Sequence, residues 1–244
     1  GNPDLSWEKT HSTDVALDFG FLDNRLQFSV DWYTKMTKDL LYQVPVAGAS
    51  GFTTTWDNLG DISNWGVELE LTSHNFTGQF KWDTNFNLSF NKNKVKSLGI
   101  DDTPIYSGFN GVGDNGNTSN VLMVGHPANA FFMMHAVGVW KTQAEIDAYA
   151  KEVNVSRLTF NGATTIKPGD IRYADVNHDG HFAYKDDREF LGQPTPKVTF
   201  GLTNSFQWNH FDASVLVTGQ FGGKIYGAFG RGIDRPSMAA RNNC

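Results

Sequence analysis

The sequence predicts an all-β chain, an antiparallel transmembrane β-barrel segment of about six strands with long extracellular loops. Three observations carry that expectation. Apolar and polar residues alternate with period two in six stretches, the connections between them are short and long in turn, and aromatic residues gather on one face near the short turns.

The first stretch is 12–22, where Val15, Leu17, Phe19 and Phe21 share a face; the contrast is weakened by Ala16 and Leu22 opposite. Asp23-Asn24 is a tight hairpin signal leading into 25–42, where Leu26, Phe28, Val30 and Trp32 alternate with Gln27, Ser29, Asp31 and Tyr33. A long connection, 43–65, follows. In 66–74, Val67, Leu69 and Leu71 alternate with Glu68, Glu70 and Thr72, and Asn75-Phe76-Thr77-Gly78 turns the chain into 79–97. There Phe80, Trp82, Phe86, Leu88 and Phe90 share a face against Lys81, Asp83, Asn85, Asn87 and Ser89. The longest connection is 98–196. Beyond it, Val198, Phe200, Leu202, Phe206 and Trp208 alternate with Thr199, Gly201, Thr203, Ser205 and Gln207. Asn209-His210 then turns into 211–222, with Phe211, Ala213, Val215, Val217 and Phe221 on one face and Asp212, Ser214 and Gln220 on the other. Tight periplasmic turns and long outer loops give that rhythm, and Phe21, Phe80, Trp82, Trp208 and Phe211 would form the lower aromatic girdle. A soluble β-sandwich shares the alternation and stays open as the alternative.

Composition agrees. No run of about 18 apolar residues is present, so no transmembrane helix is expected, while a barrel averages mildly hydrophilic, as the mean hydropathy of −0.39 does. Aromatic residues at 14% and 25 glycines favour strands and loops. The net charge of −6 offers no basic stripe for neutralising phosphates, which argues against a nucleic-acid partner. Cys244 is the only cysteine, so there is neither a disulfide framework nor a cysteine metal site.

Connection 98–196 has its own order. Gly108–Asn117 is rich in glycine and asparagine but lacks the Gly-Lys-Ser/Thr ending of a phosphate loop, and reads as a mobile surface segment. Thr142 and Glu145 form a capping box for a short helix whose Ile146, Tyr149, Ala150 and Val153 would pack onto the rest of the loop. Asp175, Asn177 and Asp179, followed by Gly180, have the spacing of an EF-hand-type loop for a structural Ca2+. His181 would give its backbone carbonyl. Asp186 stands where glutamate is usual, and Asp187 is a substitute for it; an Asx-turn loop without metal is the alternative. Seven histidines are scattered with no His-Glu-x-x-His, no nucleophile elbow is present, and pairs such as Asp101-Asp102 read as solvated loop charges. The chain is not expected to be an enzyme.

Three blocks resemble SusC/RagA TonB-linked outer-membrane proteins. The first starts at NPDLSWEKTHSTDVALDFGF and runs through VPVAGASGFTTTWDNLGDISNWGVELEL to NLSFNKNKVKSL; the second is VGHPANAFFMMHAVGVWKTQAEID. The third starts at PGDIRYADVNHDGHF and runs through FLGQPTPKVTFGL to FDASVLVTGQFGGKIY. Together they cover about Asn2 to Tyr226. The resemblance implies a large plugged barrel of about 22 strands in the bacterial outer membrane, its outer face against lipid. It also implies a SusD-like surface lipoprotein as partner, glycans or peptides as substrates, and energy from the TonB complex through an N-terminal part that these residues do not show. On this reading 1–227 belong to the barrel, 98–196 are an extracellular insert, and 228–244 begin a further loop; the chain is expected to be an internal segment. At Asn177-His178-Asp179 the family more often has Asn-Gly-Asp, so His178 is expected to strain the turn. The rival is a soluble, calcium-stiffened β-sandwich that binds carbohydrate, separable by what covers the Phe80–Phe90 apolar face; a passive porin would differ in lacking a plug.

Overall fold

A computed structural model describes residues 5–45, 51, 54–58, 60–99, 101–107 and 119–227. The glycine-rich stretch 108–117 and the segment 228–244 lie outside the described residues. Strands β1 (Lys9–Phe21) and β2 (Leu26–Lys38) form a hairpin, and β3 (Leu41–Pro45) pairs with β4 (Thr54–Asn58) in a second one. Next come β5 (Asp61–Thr77) and β6 (Phe80–Ser97). The long connection holds β7 (Ile105–Ser107), β8 (Asn120–Leu122), β9 (Ala130–Met134), β10 (Ala136–Val139), α1 (Gln143–Glu152), β11 (Thr159–Phe160), β12 (Thr164–Thr165), β13 (Ile171–Tyr173), β14 (His181–Phe182) and β15 (Arg188–Gly192). The chain returns to the main sheet as β16 (Val198–Trp208) and β17 (Phe211–Phe221).

The six expected strands form one antiparallel sheet in the order β1-β2-β5-β6-β16-β17. Their register aligns the stripes into rows. Phe19, Phe28, Leu71, Phe86, Leu202 and Val217 are successive partners across all six strands, as are Val15, Trp32, Val67, Phe90, Val198 and Phe221. One residue out of phase, the row is Asp18, Ser29, Glu70, Asn87, Gly201 and Thr218. Because side chains alternate across a strand, one face is apolar and the other polar. Ser73, Thr84 and Asn204 interrupt the apolar face in one row, and with Asn75 of the adjoining bulge they form a hydrogen-bonded group that takes in a neighbouring indole. Asn204 Oδ1 accepts from Trp82 Nε1 at 2.9 Å and Thr84 Oγ1 at 2.7 Å, and Asn75 Nδ2 donates to Thr84 Oγ1 at 2.8 Å.

The apolar face is not a protein core. Val15 is 51% exposed, Leu17 57% and Phe221 62%, and no second sheet covers them among the described residues. A sandwich would bury such side chains; on the Phe80–Phe90 face that separates the two readings, Phe80 is 42% exposed and Trp82, Phe86, Leu88 and Phe90 are only partly covered. Two of the expected girdle aromatics, Phe80 and Trp82, pack against rings outside the expected set: Phe76 with Trp82 at 5.8 Å, Trp82 with Phe206 at 5.8 Å and Phe80 with Phe206 at 6.4 Å between ring centres.

Two connections differ from expectation. Residues 43–65 are not an open loop: the β3·β4 hairpin occupies part of them, and β5 begins at Asp61, pairing with Ser97 of β6. The turn between β5 and β6 is only Gly78 and Gln79, because β5 runs on to Thr77 through a bulge at His74–Phe76. Connection 98–196 folds around its own core of Met134, Trp140, Ile146, Ala150, Leu158, Ile166 and Phe182. Arg172 stacks its guanidinium over Trp140, 4.5 Å from the ring centre.

Candidate functional site

Two features can carry function: the polar face of the sheet, and the aspartate loop of the connection. On the polar face, cross-strand pairs hold one another in place. Thr72 Oγ1 donates to Asn85 Oδ1 at 2.9 Å, Ser89 Oγ to Glu68 Oε1 at 3.1 Å, Ser29 Oγ to Asp18 Oδ1 at 2.5 Å, and His74 Nδ1 pairs with Asp83 Oδ1 at 2.5 Å. Asp18, Gln27, Ser29, Glu70 and Thr72 line a concavity of about 460 Å³. Such a wall can stay hydrated and offer hydrogen bonds to a passing solute, with Asp18 and Glu70 favouring neutral or cationic groups.

The aspartate loop is positioned by α1. Thr142 caps the helix, its hydroxyl accepting from the Glu145 amide at 3.2 Å. The expected reciprocal bond is shifted by one residue: Glu145 Oε2 accepts from the amide of Lys141 at 3.0 Å. Ile146 and Ala150 are buried, with Tyr149 and Val153 packed against the same core, as the spacing predicts. Tyr149 then reaches the loop, donating to Asp175 Oδ2 at 3.3 Å. Burial, followed by the charge and hydrogen bond of Asp175, pushes the Tyr149 phenol up to about 12.

Asp175 is nearly buried. Its Oδ1 accepts from the Asp179 amide at 3.1 Å and its Oδ2 from the Gly180 amide at 2.8 Å. Asn177 Oδ1 accepts from the same Asp179 amide at 3.2 Å, while its Nδ2 donates to Asp179 Oδ2 at 2.8 Å. Asp179 Oδ1 accepts from the His181 amide at 2.7 Å, and the His181 ring bonds Thr159 Oγ1 at 2.8 Å. Gly180 sits at φ +71°, and a Cβ there would lie 2.8 Å from Val155 Cγ2, so both backbone and packing require glycine. His178 adopts φ +57°, a region costly for any residue with a side chain.

The structure thus gathers Asp175, Asn177, Asp179 and the His181 backbone. Asp186 is exposed. Its neighbour Asp187 is fully buried and closes the loop, with Oδ1 accepting from the Val176 amide at 2.9 Å and Oδ2 from the Ala183 amide at 2.7 Å. Burial pushes the Asp187 carboxyl above its usual range. Among the described residues no group of three or more Asp, Glu, His or Cys side chains converges as a metal cage. The arrangement fits the Asx-turn alternative directly, and fits a cation only in the part contributed by 175, 177 and 179.

Known proteins share this architecture. The family described as TonB dependent receptor-like, beta-barrel, matches residues 1–234. A TonB-dependent receptor of Formosa agariphila is 34% identical over 228 residues, covering 92% of this chain and 21% of the relative. TonB-dependent receptor SusC of Bacteroides thetaiotaomicron is 29% identical over 230 residues, covering 92% and 20%. The RagAB peptide importer in its closed-closed state superposes with a TM-score of 0.65 at 22% identity, covering 91% of this chain and 22% of that one. The chain spans about a fifth of the length of the curated relatives it matches.

Proposed function

This chain belongs to the TonB-dependent receptor β-barrel family, and on that premise we propose that it forms part of the wall of an importer that takes up glycans or peptides. The family consists of outer-membrane receptors and transporters, not enzymes. In the proposal a SusD-like surface lipoprotein lids the barrel, and the TonB complex supplies the energy. The observation that carries the reading is the two-faced sheet: apolar rows across all six strands on one side, predominantly polar rows on the other, and the three short turns at one end. In a bilayer every strand edge needs a partner, so β1 and β17 would pair with further strands of the barrel. Asp18, Glu70, Asn87 and Asp83 would face the aqueous lumen, where their hydration costs nothing. The aromatic rows would face lipid.

The test is uptake by whole cells. Removing the gene should abolish import of one labelled oligosaccharide or peptide class, and a protonophore should do the same to the parent strain. Uptake that ignores the protonophore would point to a passive pore. Affinity purification from mild detergent should bring down a surface lipoprotein, and its absence would remove the lid from the proposal.

We also propose a structural Ca2+ in the Asp175–Asp186 loop. Its support is the ligand spacing, with Asp175, Asn177 and Asp179 already sharing one small loop; when bound, the ion would neutralise their charge. Asp175→Ala with Asp179→Ala should lower the calcium measured by elemental analysis in the purified protein. Unchanged stoichiometry removes the metal.

A further inference from the structure

We propose that the extracellular end of β6 and its neighbours binds the phosphate of an outer-leaflet lipid headgroup, through a ladder made by Lys92, Lys94 and Lys96. The inference rests on the apolar face meeting lipid. On β6 the outward stripe runs Phe86, Leu88, Phe90 and continues in phase into Lys92 and Lys94, and Lys96 follows as the extra residue of a bulge opposite Asp61–Ile62. All three lysines are exposed, whereas Asn91 and Asn93 between them are partly covered and Val95 is buried. A barrel strand crosses the hydrocarbon in roughly 9–11 residues. With Phe80 and Trp82 at the girdle, that length ends at about Phe90, so Lys92 is the first outward residue at headgroup depth.

The neighbouring strands sort their charges in the same way. Trp65 pairs with Lys92 and Ser63 with Lys94; Thr34 and Met36 continue these rows on β2, and Thr13 and His11 on β1. No outward carboxylate appears in these two rows, whereas the polar face of the same strands carries Asp14, Asp18, Asp31, Glu68 and Glu70. Among the described residues none of the three lysines has an acidic partner within 4.0 Å. In a chain of net charge −6, three adjacent unpaired lysines on one face are a specific local field.

A binding volume is present as well. Phe90, Lys92, Lys94, Lys197, Gln193 and Gly125 border a cavity of about 380 Å³ where β6 extends past the start of β16. It joins apolar lining at Phe90 to Lys92, Lys94 and Lys197, with Lys96 standing outside it, and suits a phosphate whose acyl chains lie against the rows below. Lysine stems can lie along the apolar surface while their heads reach the phosphate.

The experiment uses the full-length receptor extracted from outer membranes in mild detergent, with co-purified lipid measured by native mass spectrometry and phosphorus assay. Lys92→Gln, Lys94→Gln and Lys96→Gln together should lower retained phosphorylated lipid about tenfold, and the corresponding arginine triple should retain it. Equal retention by the glutamine triple overturns the inference. Independently of any variant, wild-type receptor in nanodiscs should prefer the phosphorylated outer-leaflet glycolipid over the same lipid after phosphatase treatment; equal binding overturns it too. Displacement by millimolar inorganic phosphate would mark a free-anion site and overturn the lipid assignment. Loss of the phosphate preference with acyl chains still bound defeats this inference alone, whereas absence of any bound lipid also defeats the placement of the outward face.

Discussion

Gly66 lies beneath the ring of Tyr33, and its missing side chain is what lets β2, β5 and β6 close together at that level. A Cβ there would stand 2.3 Å from the Phe90 carbonyl oxygen and 2.6 Å from the Tyr33 ring. The tyrosine lies across this gap and donates to Asn91 Oδ1 at 3.2 Å. Gly66→Ala should therefore cost about 1–3 kcal/mol, read as a lower urea midpoint for the folded barrel. Adding Tyr33→Ala should recover only part of the loss, because the backbone contact remains. An unchanged midpoint in the single variant would show that the strands separate freely. The same device recurs on the other face, where a Cβ at Gly219 would lie 2.2 Å from the Phe200 ring. Neither need is visible in the sequence, where these glycines sit in strands without any turn signal. Gly180 and His178 are different: the aspartate spacing around them announces a tight loop, and both take a positive φ in it, +71° and +57°.

At the scale of the element, the strands were the most legible part of the chain. Period two is imposed by backbone geometry, so each apolar stripe locates both a strand and its face. Ends were less legible. β5 starts five positions before its stripe becomes clear, because Ile62 and Trp65 are an odd number of residues apart and so stand on opposite faces, which leaves no apolar alternation there. The face assignment makes a paired prediction. Phe86→Arg places a charge on the lipid face near mid-strand and should cost about 2–4 kcal/mol. Asn87→Arg, one residue along on the polar face, should be tolerated. Heat-modifiable migration on gels and surface expression would measure both. Equal damage from the two substitutions would contradict the faces assigned here.

For the molecule as a whole, the short turns at 22–25, 78–79 and 209–210 lie at one end of the sheet, and the long connection lies at the other. In the outer membrane that polarity should be directly measurable. In a Cys244→Ser background, Val137→Cys on the exposed β10 should react with a membrane-impermeant maleimide added to intact cells, and His210→Cys should react only after the cells are broken. The opposite pattern would invert the topology and move the lysine ladder to the inner leaflet.

The sequence by itself determined the six strands, their two faces, the capped helix and the family, because each is written in local periodicity or in collinear motifs. It also marked the aspartate loop, though not that Asp187 rather than Asp186 is the carboxylate drawn inside. What only the tertiary structure decided is relational. Register turned separate stripes into rows across six strands, the β3·β4 hairpin and the second core filled connections that looked open, and Lys92 and Lys94 of β6 came to stand in rows without an acidic partner. These outcomes depend on which residues become neighbours after folding. Alternation along one strand fixes direction but carries no information about its partner.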